Sequence, residues 1–297
     1  MSAAPSSKIL LLLDGHSVLH RAYHAFPKTL TTSDGELTNA VYGFTRIFLA
    51  VLKKFSPEYV AVSFDTPQAT FRHQEFAGYK EHRPEMETEL ASQIGRVHEV
   101  VAALGIPIFE VAGYEADDVL GTLAKQAEGQ VGTLIVTDDQ DLLQVVSDST
   151  QVYLARKDRV WGMGEVREEF GFEPEQLDDY KALRGDPSDN IPGVRGIGPK
   201  TAKELVQRFG SLEEVYHHIS EIAPRVQKLL AEAAEESALS KKLATIDRDT
   251  PITLDLEKCR TRDFDRAQVE DLFAKLGFGS LLEALPGEEE EAQMELL

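Results

Sequence analysis

The sequence predicts an α/β protein with a mostly parallel central sheet flanked by helices, followed by a largely α-helical second half. Three observations carry that expectation. Apolar runs of strand length alternate with helix-period stretches up to about residue 160, the pattern of a parallel sheet with crossover helices. Three of those runs end in aspartate, at the strand ends where open parallel sheets present ligands. From about Trp161 onward the strand signals fade and short helical stretches take over.

Residues 1–7 read as a flexible lead-in. Lys8 to Gly15 is a continuous apolar run closed by an Asp-Gly turn signal, consistent with a buried parallel strand. Similar runs cover Tyr59 to Asp65 and Thr133 to Thr137, the latter followed by Asp138, Asp139, Gln140 and Asp141. A shorter candidate is Ile106 to Val111, which Pro107 places near an edge or a strand start. Helix-period stretches lie between them at Ala40–Lys54, Ala91–Leu104 and Ala116–Ala127. The segment 66–90 is polar, basic and aromatic, and long for a connection; such connections are usually functional or mobile. Later helices are expected at Glu165–Phe170, Pro174–Leu183, Pro199–Phe209, Glu213–Ile219, within Ala223–Leu243 and at Asp265–Leu276. The expected division is therefore an α/β core over 8–160, a helical part over 161–285 and an acidic, disordered tail or linker over 286–297.

The chain has 297 residues, 42% of them hydrophobic and 28% charged, a globular balance and not a disordered one. With Cys259 as its single cysteine, it has no intrachain disulfide framework, which fits a reducing compartment. The apolar run Ile9 to Leu13 is too short to cross a bilayer, and no small-residue cleavage site follows it. A soluble, cytoplasmic protein with no membrane partner is the expectation. A net charge of −20 argues at first against a nucleic-acid partner. Six glutamates between Glu283 and Leu297 account for part of it, however, leaving −14. Setting aside the nine carboxylates considered next leaves about −5 on everything else.

Those nine are Asp14, Asp65, Glu115, Asp117, Asp118, Asp139, Asp141, Asp186 and Asp189. Taken singly, each has a bland explanation. An Asp-Gly after a strand makes a turn, acidic residues in a first helical turn favour the dipole, and Gly-Asp-Pro-Ser-Asp-Asn makes a turn or a cap. Together they are harder to dismiss. Asp139 and Asp141 alternate and share a face if strand geometry persists. Glu115 and Asp118 share a helix face, and Asp186 and Asp189 repeat that spacing. A set of carboxylates without a His or Cys cluster selects hard cations such as Mg2+ or Mn2+ over structural zinc. So many like charges need cations to neutralise them, and two divalent ions ~4 Å apart are the usual apparatus for phosphodiester hydrolysis.

Two basic elements fit a phosphodiester substrate. Gly193 to Arg208 reads as a hairpin between helices: Gly193, Gly196 and Gly198 let backbone approach a phosphate, and Arg195, Lys200, Lys203 and Arg208 outweigh Glu204. Segment 66–90 interleaves Arg72, Tyr79, Lys80 and Arg83 with Phe71, His73, Phe76 and His82. That mixture suits a single strand, although five glutamates beside it equally suit a solvated helix.

In these motifs the chain resembles the 5′ nuclease domain at the N-terminus of bacterial DNA polymerase I, a relative of phage 5′ nucleases and flap endonucleases. The matching residues are Leu-Leu-Asp14-Gly-His-Ser with Arg21 downstream, Ser-Phe-Asp65, Phe71-Arg72 through Gly78-Tyr79-Lys80, Glu115-Ala-Asp117-Asp118, Asp139-Gln-Asp141, Gly185-Asp186-Pro-Ser-Asp189-Asn190, and Gly193 to Ala202. They follow the family order over residues 8–285. The resemblance implies a PIN-like 5′ nuclease fold with a helical arch over 66–90 and a helix-hairpin-helix over 193–208. It implies two Mg2+ or Mn2+ held by the nine carboxylates, with Lys80, Arg83 and Arg21 acting on the scissile phosphate. Arg72 and Tyr79 would touch DNA, as would Gly193, Arg195, Gly196, Gly198, Lys200, Thr201 and Lys203, with a K+ at the hairpin. The implied activity is 5′-3′ exonuclease and 5′ flap endonuclease on flapped, nicked or gapped DNA and RNA–DNA primer junctions, in primer removal and repair. The implied protein is a monomer, with a polymerase in cis or in trans. Asp138 stands where the family commonly has a small residue, and the chain stops before any polymerase part. A catalytically silent junction-binding module and a small RNase of the PIN type are the alternatives.

Overall fold

The computed structural model describes residues 8–261 and 264–285; the expected lead-in and acidic tail lie outside the described residues. The chain divides into two compact units that interleave in sequence. One holds Asp65–Glu85 and Glu110–Leu254; the other holds Lys8–Phe64, Met86–Phe109 and the described residues from Asp255 on. Compactness thus does not follow a single cut near residue 160, because the chain leaves each unit and returns to it.

Along the chain the elements are β1 (Ile9–Asp14), α1 (Gly15–Ala25), α2 (Asn39–Phe55), β2 (Tyr59–Ser63), α3 (Phe71–Glu75), α4 (Thr88–Ala91), α5 (Ile94–Ala103) and β3 (Ile108–Phe109). Next come α6 (Ala116–Ala127), β4 (Gly132–Thr137), β5 (Thr150–Leu154), β6 (Arg159–Trp161), α7 (Met163–Phe170) and α8 (Leu177–Arg184). The helices α9 (Pro199–Phe209), α10 (Leu212–His217), α11 (Pro224–Glu232), α12 (Ala234–Ala244) and α13 (Arg266–Leu276) complete the order. Parallel strands with flanking helices, and a helical second half, are the expected α/β class.

In the Lys8–Phe64 unit, β1 pairs in parallel with β2, and β2 with β3. Leu10 to Leu13 are fully buried, as a strand covered on both faces requires. The strand β3 is only two residues long, because Pro107 has no N–H for the ladder; its carbonyl still accepts from Val62 N at 3.1 Å. Gln93 fastens the start of α2, accepting from the Ala40 amide at 2.9 Å and donating to Asn39 Oδ1 at 3.0 Å.

In the other unit β4 and β5 are parallel and β6 closes antiparallel on β5. The sequence reading missed β5, although Thr150, Val152 and Leu154 alternate and are buried. The long stretch Ala223–Leu243 breaks at Ala233 into α11 and α12. Segment 66–90 departs most from expectation. Instead of a helical arch it contains only the short α3 and α4, and residues 77–83 fold as turns.

Candidate active site

Three stretches of the Asp65–Leu254 unit assemble around one turn. The first is the start of α6. Glu115 is its N-cap, and Asp118 Oδ2 accepts the Glu115 amide at 3.0 Å. Asp65 Oδ1 accepts from Ala116 N at 2.7 Å, which ties the 65–70 loop to the same helix start. Asp117 is half-buried in the first turn of α6.

Asp118 is fully buried, with Arg72 Nη1 and Nη2 on its two oxygens at 2.7 and 2.8 Å. Arg72, 3% exposed, also donates to the carbonyls of Leu243 and Thr245, while Asp118 Oδ1 accepts from Asp247 N. This corrects two expectations. Arg72 is a buried clamp and offers nothing to DNA, and Asp118 has its oxygens taken by that clamp and by backbone. Tyr79 is corrected likewise: its ring is buried with Ile191, Leu243 and Ala244, so no base can stack on it. Its hydroxyl lies 3.1 Å from Glu115 Oε2 and 3.3 Å from Asp189 Oδ2. Burial, then those two carboxylates, pushes the Tyr79 phenol up.

The second stretch follows β4. The strand ends at Thr137, so the alternation argument for Asp139 and Asp141 does not apply. A turn brings them together instead: Asp139 Oδ1 accepts from Asp141 N at 2.8 Å, and Asp141 opens a short 3-10 helix. Asp141 is pushed up to about 6, first by burial and then by repulsion from Asp139, against the pull of Lys181. Asp138 accepts the Arg156 amide and so braces the β5–β6 turn.

The third stretch is the loop after α8. Reciprocal backbone bonds between Asp186 and Ile191, at 2.9 and 2.8 Å, close it. Asp186 Oδ2 lies 2.7 Å from Lys181 Nζ, and the same ammonium also pairs with Asp141. Burial alone would raise Asp186; Lys181 and Ser188 bring it below the usual carboxylate range. Sequence reasoning missed Lys181. Its only signal is a lysine on the buried face of a helix that ends at Gly185.

These stretches meet the 77–83 turn. Lys80 has the left-handed φ of 54°, and Asn190 a φ of 58°. Lys80 N donates to the Asp189 carbonyl at 3.0 Å and Asn190 Nδ2 to the Gly78 carbonyl at 2.7 Å, so the two loops lock each other. Lys80 Nζ reaches Glu115 Oε1 at 2.8 Å and Asp189 Oδ2 at 3.8 Å; Arg83 Nη2 reaches Asp189 Oδ1 at 3.0 Å. Burial pulls the Lys80 ammonium down, yet Glu115 and Asp189 outweigh it and the net shift is upward.

Among the described residues no group of three or more His, Cys, Asp or Glu is gathered to hold a metal ion as it stands. The protein's own cations occupy the gaps, Lys80 between Glu115 and Asp189, and Lys181 between Asp141 and Asp186. The donors are all carboxylate oxygens, the chemistry hard divalent cations take. In the other unit Asp14 is buried at the end of β1, where its Oδ1 accepts from Ser17 N at 2.9 Å and caps α1. Arg21 lies on α1.

The expected helix-hairpin-helix is α8, the turn 193–198 and α9. Gly193 and Gly185 have φ of 62° and 77°, and a Cβ on Gly193 would stand 2.1 Å from the Gly185 nitrogen, so the two backbones touch. Arg195, Gly196, Gly198 and Lys200 are exposed. Pro199 opens α9, leaving the Lys200 and Thr201 amides in its first turn. Lys203 turns away, to the Glu169 carbonyl at 2.8 Å.

Comparison with known proteins fits this architecture. The family described as 5′-3′ exonuclease, N-terminal resolvase-like domain, matches residues 9–171, and the family described as 5′-3′ exonuclease, C-terminal SAM fold, matches 172–267. The chain belongs to the 5′-3′ exonuclease family, a family of nucleases. It is 44% identical to DNA polymerase I of Chloroflexus aurantiacus over 290 residues, and 39% identical to that of Bacillus subtilis (strain 168) over 294. These alignments cover 94% and 97% of the chain but only 31% and 33% of the relatives, so the chain spans about a third of their length. A solved structure of T5 5′-exonuclease with divalent zinc bound shares the fold at a TM-score of 0.67 and 19% identity, covering 91% of this chain and 100% of that one. The catalytic core of Rad2 in complex with DNA substrate does so at 0.59 and 17%, covering 98% and 92%.

Proposed function

We propose that this chain is a divalent-metal 5′-3′ exonuclease and structure-specific 5′ flap endonuclease. It would cut DNA and RNA-primer phosphodiesters near single-strand/duplex junctions, in primer removal and repair. The observation that carries this is the locked pair of loops holding Lys80 between Glu115 and Asp189. Catalytic amines are worth most when held rigidly, and the left-handed turn does that holding.

Asp65, Glu115, Asp117, Asp139, Asp141, Asp186 and Asp189 would hold the ions, two Mg2+ or Mn2+, with Asp118 positioning Glu115 through its backbone amide. Bound ions supply a water of lowered pKa and neutralise phosphate charge. Lys80 and Arg83 would exchange a carboxylate partner for the oxygens of the scissile phosphate. Lys181 would yield its place between Asp141 and Asp186, whose mutual repulsion it neutralises when the ions are absent. Asp14 and Arg21 keep the ligand and phosphate roles that the family pattern implies. Arg195, Gly196, Gly198, Lys200 and Thr201 would grip the duplex backbone, with a K+ among the hairpin carbonyls. The polymerase relatives support a polymerase partner in cis or in trans, in the bacterial cytoplasm; this chain would act as a monomer. No described helix is long and apolar enough to cross a membrane.

Mapping the products of a labelled 5′-flap duplex, with and without Mg2+, tests the proposal. Metal-dependent cuts at the junction, leaving 5′-phosphate and 3′-hydroxyl ends, are expected. Tight flap binding with no cutting in any divalent ion is the outcome that returns the chain to a silent binding module.

A further inference from the structure

Beside the Lys80 turn lies a cavity of about 410 Å3, wholly within the Asp65–Leu254 unit. We propose that it receives the 5′-terminal nucleotide of the substrate strand and so sets the length of the exonucleolytic product at one nucleotide. The inference rests on the nuclease reading and names a binding site within it.

The walls differ in chemistry. Lys80 and Arg83 supply positive charge to the lining, Lys80 beside the Glu115 carboxylate, and Asp65 adds a second carboxylate. One amino group of Arg83 goes to Asp189, but a guanidinium carries five donors, so the half-exposed fork can serve a phosphate as well. Pro67, Ala69 and Tyr114 offer apolar and aromatic surface elsewhere in the cavity, suited to a sugar and a base. Two polar groups complete the lining. Thr66 Oγ1 is buried without a hydrogen-bond partner, so it has a bond to give. The Nδ1 of His73 accepts from Thr70 N at 3.2 Å, which leaves the proton of the neutral ring on Nε2 as a donor.

The volume sits near the small end of ligand pockets, the size of one nucleotide and not of several. With the terminal nucleotide seated, the next phosphate falls at the Lys80 and Glu115 wall. Hydrolysis adds water to that phosphorus and breaks its bond to the 3′ oxygen. The 3′ oxygen takes a proton, the seated nucleotide leaves with a 3′-hydroxyl, and the shortened strand keeps a 5′-phosphate. A flap has further nucleotides beyond the cut that this volume cannot hold, so they must pass by another path.

Ala69→Trp in the full chain fills the cavity from an exposed loop position, and Ala69→Ser leaves it open. Expected for Ala69→Trp is at least a tenfold fall in the ratio of mononucleotide release from a nicked duplex to flap cutting, with an unchanged melting temperature. Ala69→Ser should keep the parental ratio. Saturation-transfer NMR should detect dTMP, but neither thymidine nor inorganic phosphate at equal concentration, on the parent and not on Ala69→Trp. Parental mononucleotide release by Ala69→Trp, or an equal fall of both activities, overturns the pocket. A parent that binds dTMP in this Trp-sensitive way yet never cuts would leave the pocket standing and remove the nuclease reading instead.

Discussion

Lys80 Nζ stands 2.8 Å from Glu115 Oε1 on a backbone held at a φ of 54°, so the contact is set by the turn and not by a flexible side chain alone. Removing the ammonium should slow chemistry without emptying the carboxylate set. Lys80→Ala is expected to lower the single-turnover cleavage rate by about 10²–10³-fold, the range for deleting one transition-state donor. The Mg2+ concentration giving half-maximal stabilisation should not rise. A parental rate would return Lys80 to a structural ion pair.

Asp139 and Asp141 are linked by a backbone-to-carboxylate bond of 2.8 Å and pay mutual repulsion that cations relieve. Asp139→Ala with Asp141→Ala should abolish cleavage while a 5′-flap oligonucleotide still binds in a gel-shift assay. The Mg2+-induced rise in melting temperature should shrink in the same variant. Normal turnover by it contradicts the ligand assignment.

Arg72 and Asp118 form a buried, bidentate pair, and breaking such a pair by removing one partner costs about 3–5 kcal/mol. Arg72→Ala should therefore lower the unfolding free energy, obtained from the urea midpoint and m value, by that much. If instead it melts normally and loses DNA affinity, the clamp assignment fails.

Lys200 is almost fully exposed at the start of α9. If it meets a phosphate, Lys200→Ala should flatten the slope of log affinity against log salt by about 0.9 on duplex DNA of any sequence. An unaltered slope would remove this residue from the duplex contact.

Cys259 is buried, and burial, with the nearby Asp255 carboxylate, pushes its thiol up to about 11. An unfolded thiol titrates near ~8.5, so the folded state holds its proton more tightly. Its contribution to stability is complete below about 8.5 and is lost as pH climbs through 11. Urea midpoints of the parent, measured against Cys259→Ala, should decline over that interval. Two parallel curves from pH 8 to 11 would contradict the shift.

The strand end bearing Asp14 was legible because a continuous apolar run and an Asp-Gly signal act locally, and the apolar run of β2 placed Asp65 two residues past its end. The ladder of β5 was not read, since its alternating five residues carry no flanking signal comparable to those of β1. Local rules also failed for Asp139 and Asp141, which lie beyond the last strand residue, Thr137. For Arg72 the sequence showed only a cation among aromatics; the buried carboxylate that claims it is 46 positions away.

The amino-acid order alone determined the α/β class, the carboxylates available for hard cations and the glycine hairpin after α8. These follow from periodicity, residue chemistry and backbone freedom within a few positions. Only the folded chain decided which charges meet. Lys80, Lys181 and Arg72 each select carboxylates from other segments, and those pairings arise from long-range packing that desolvates both partners, a term no local pattern contains.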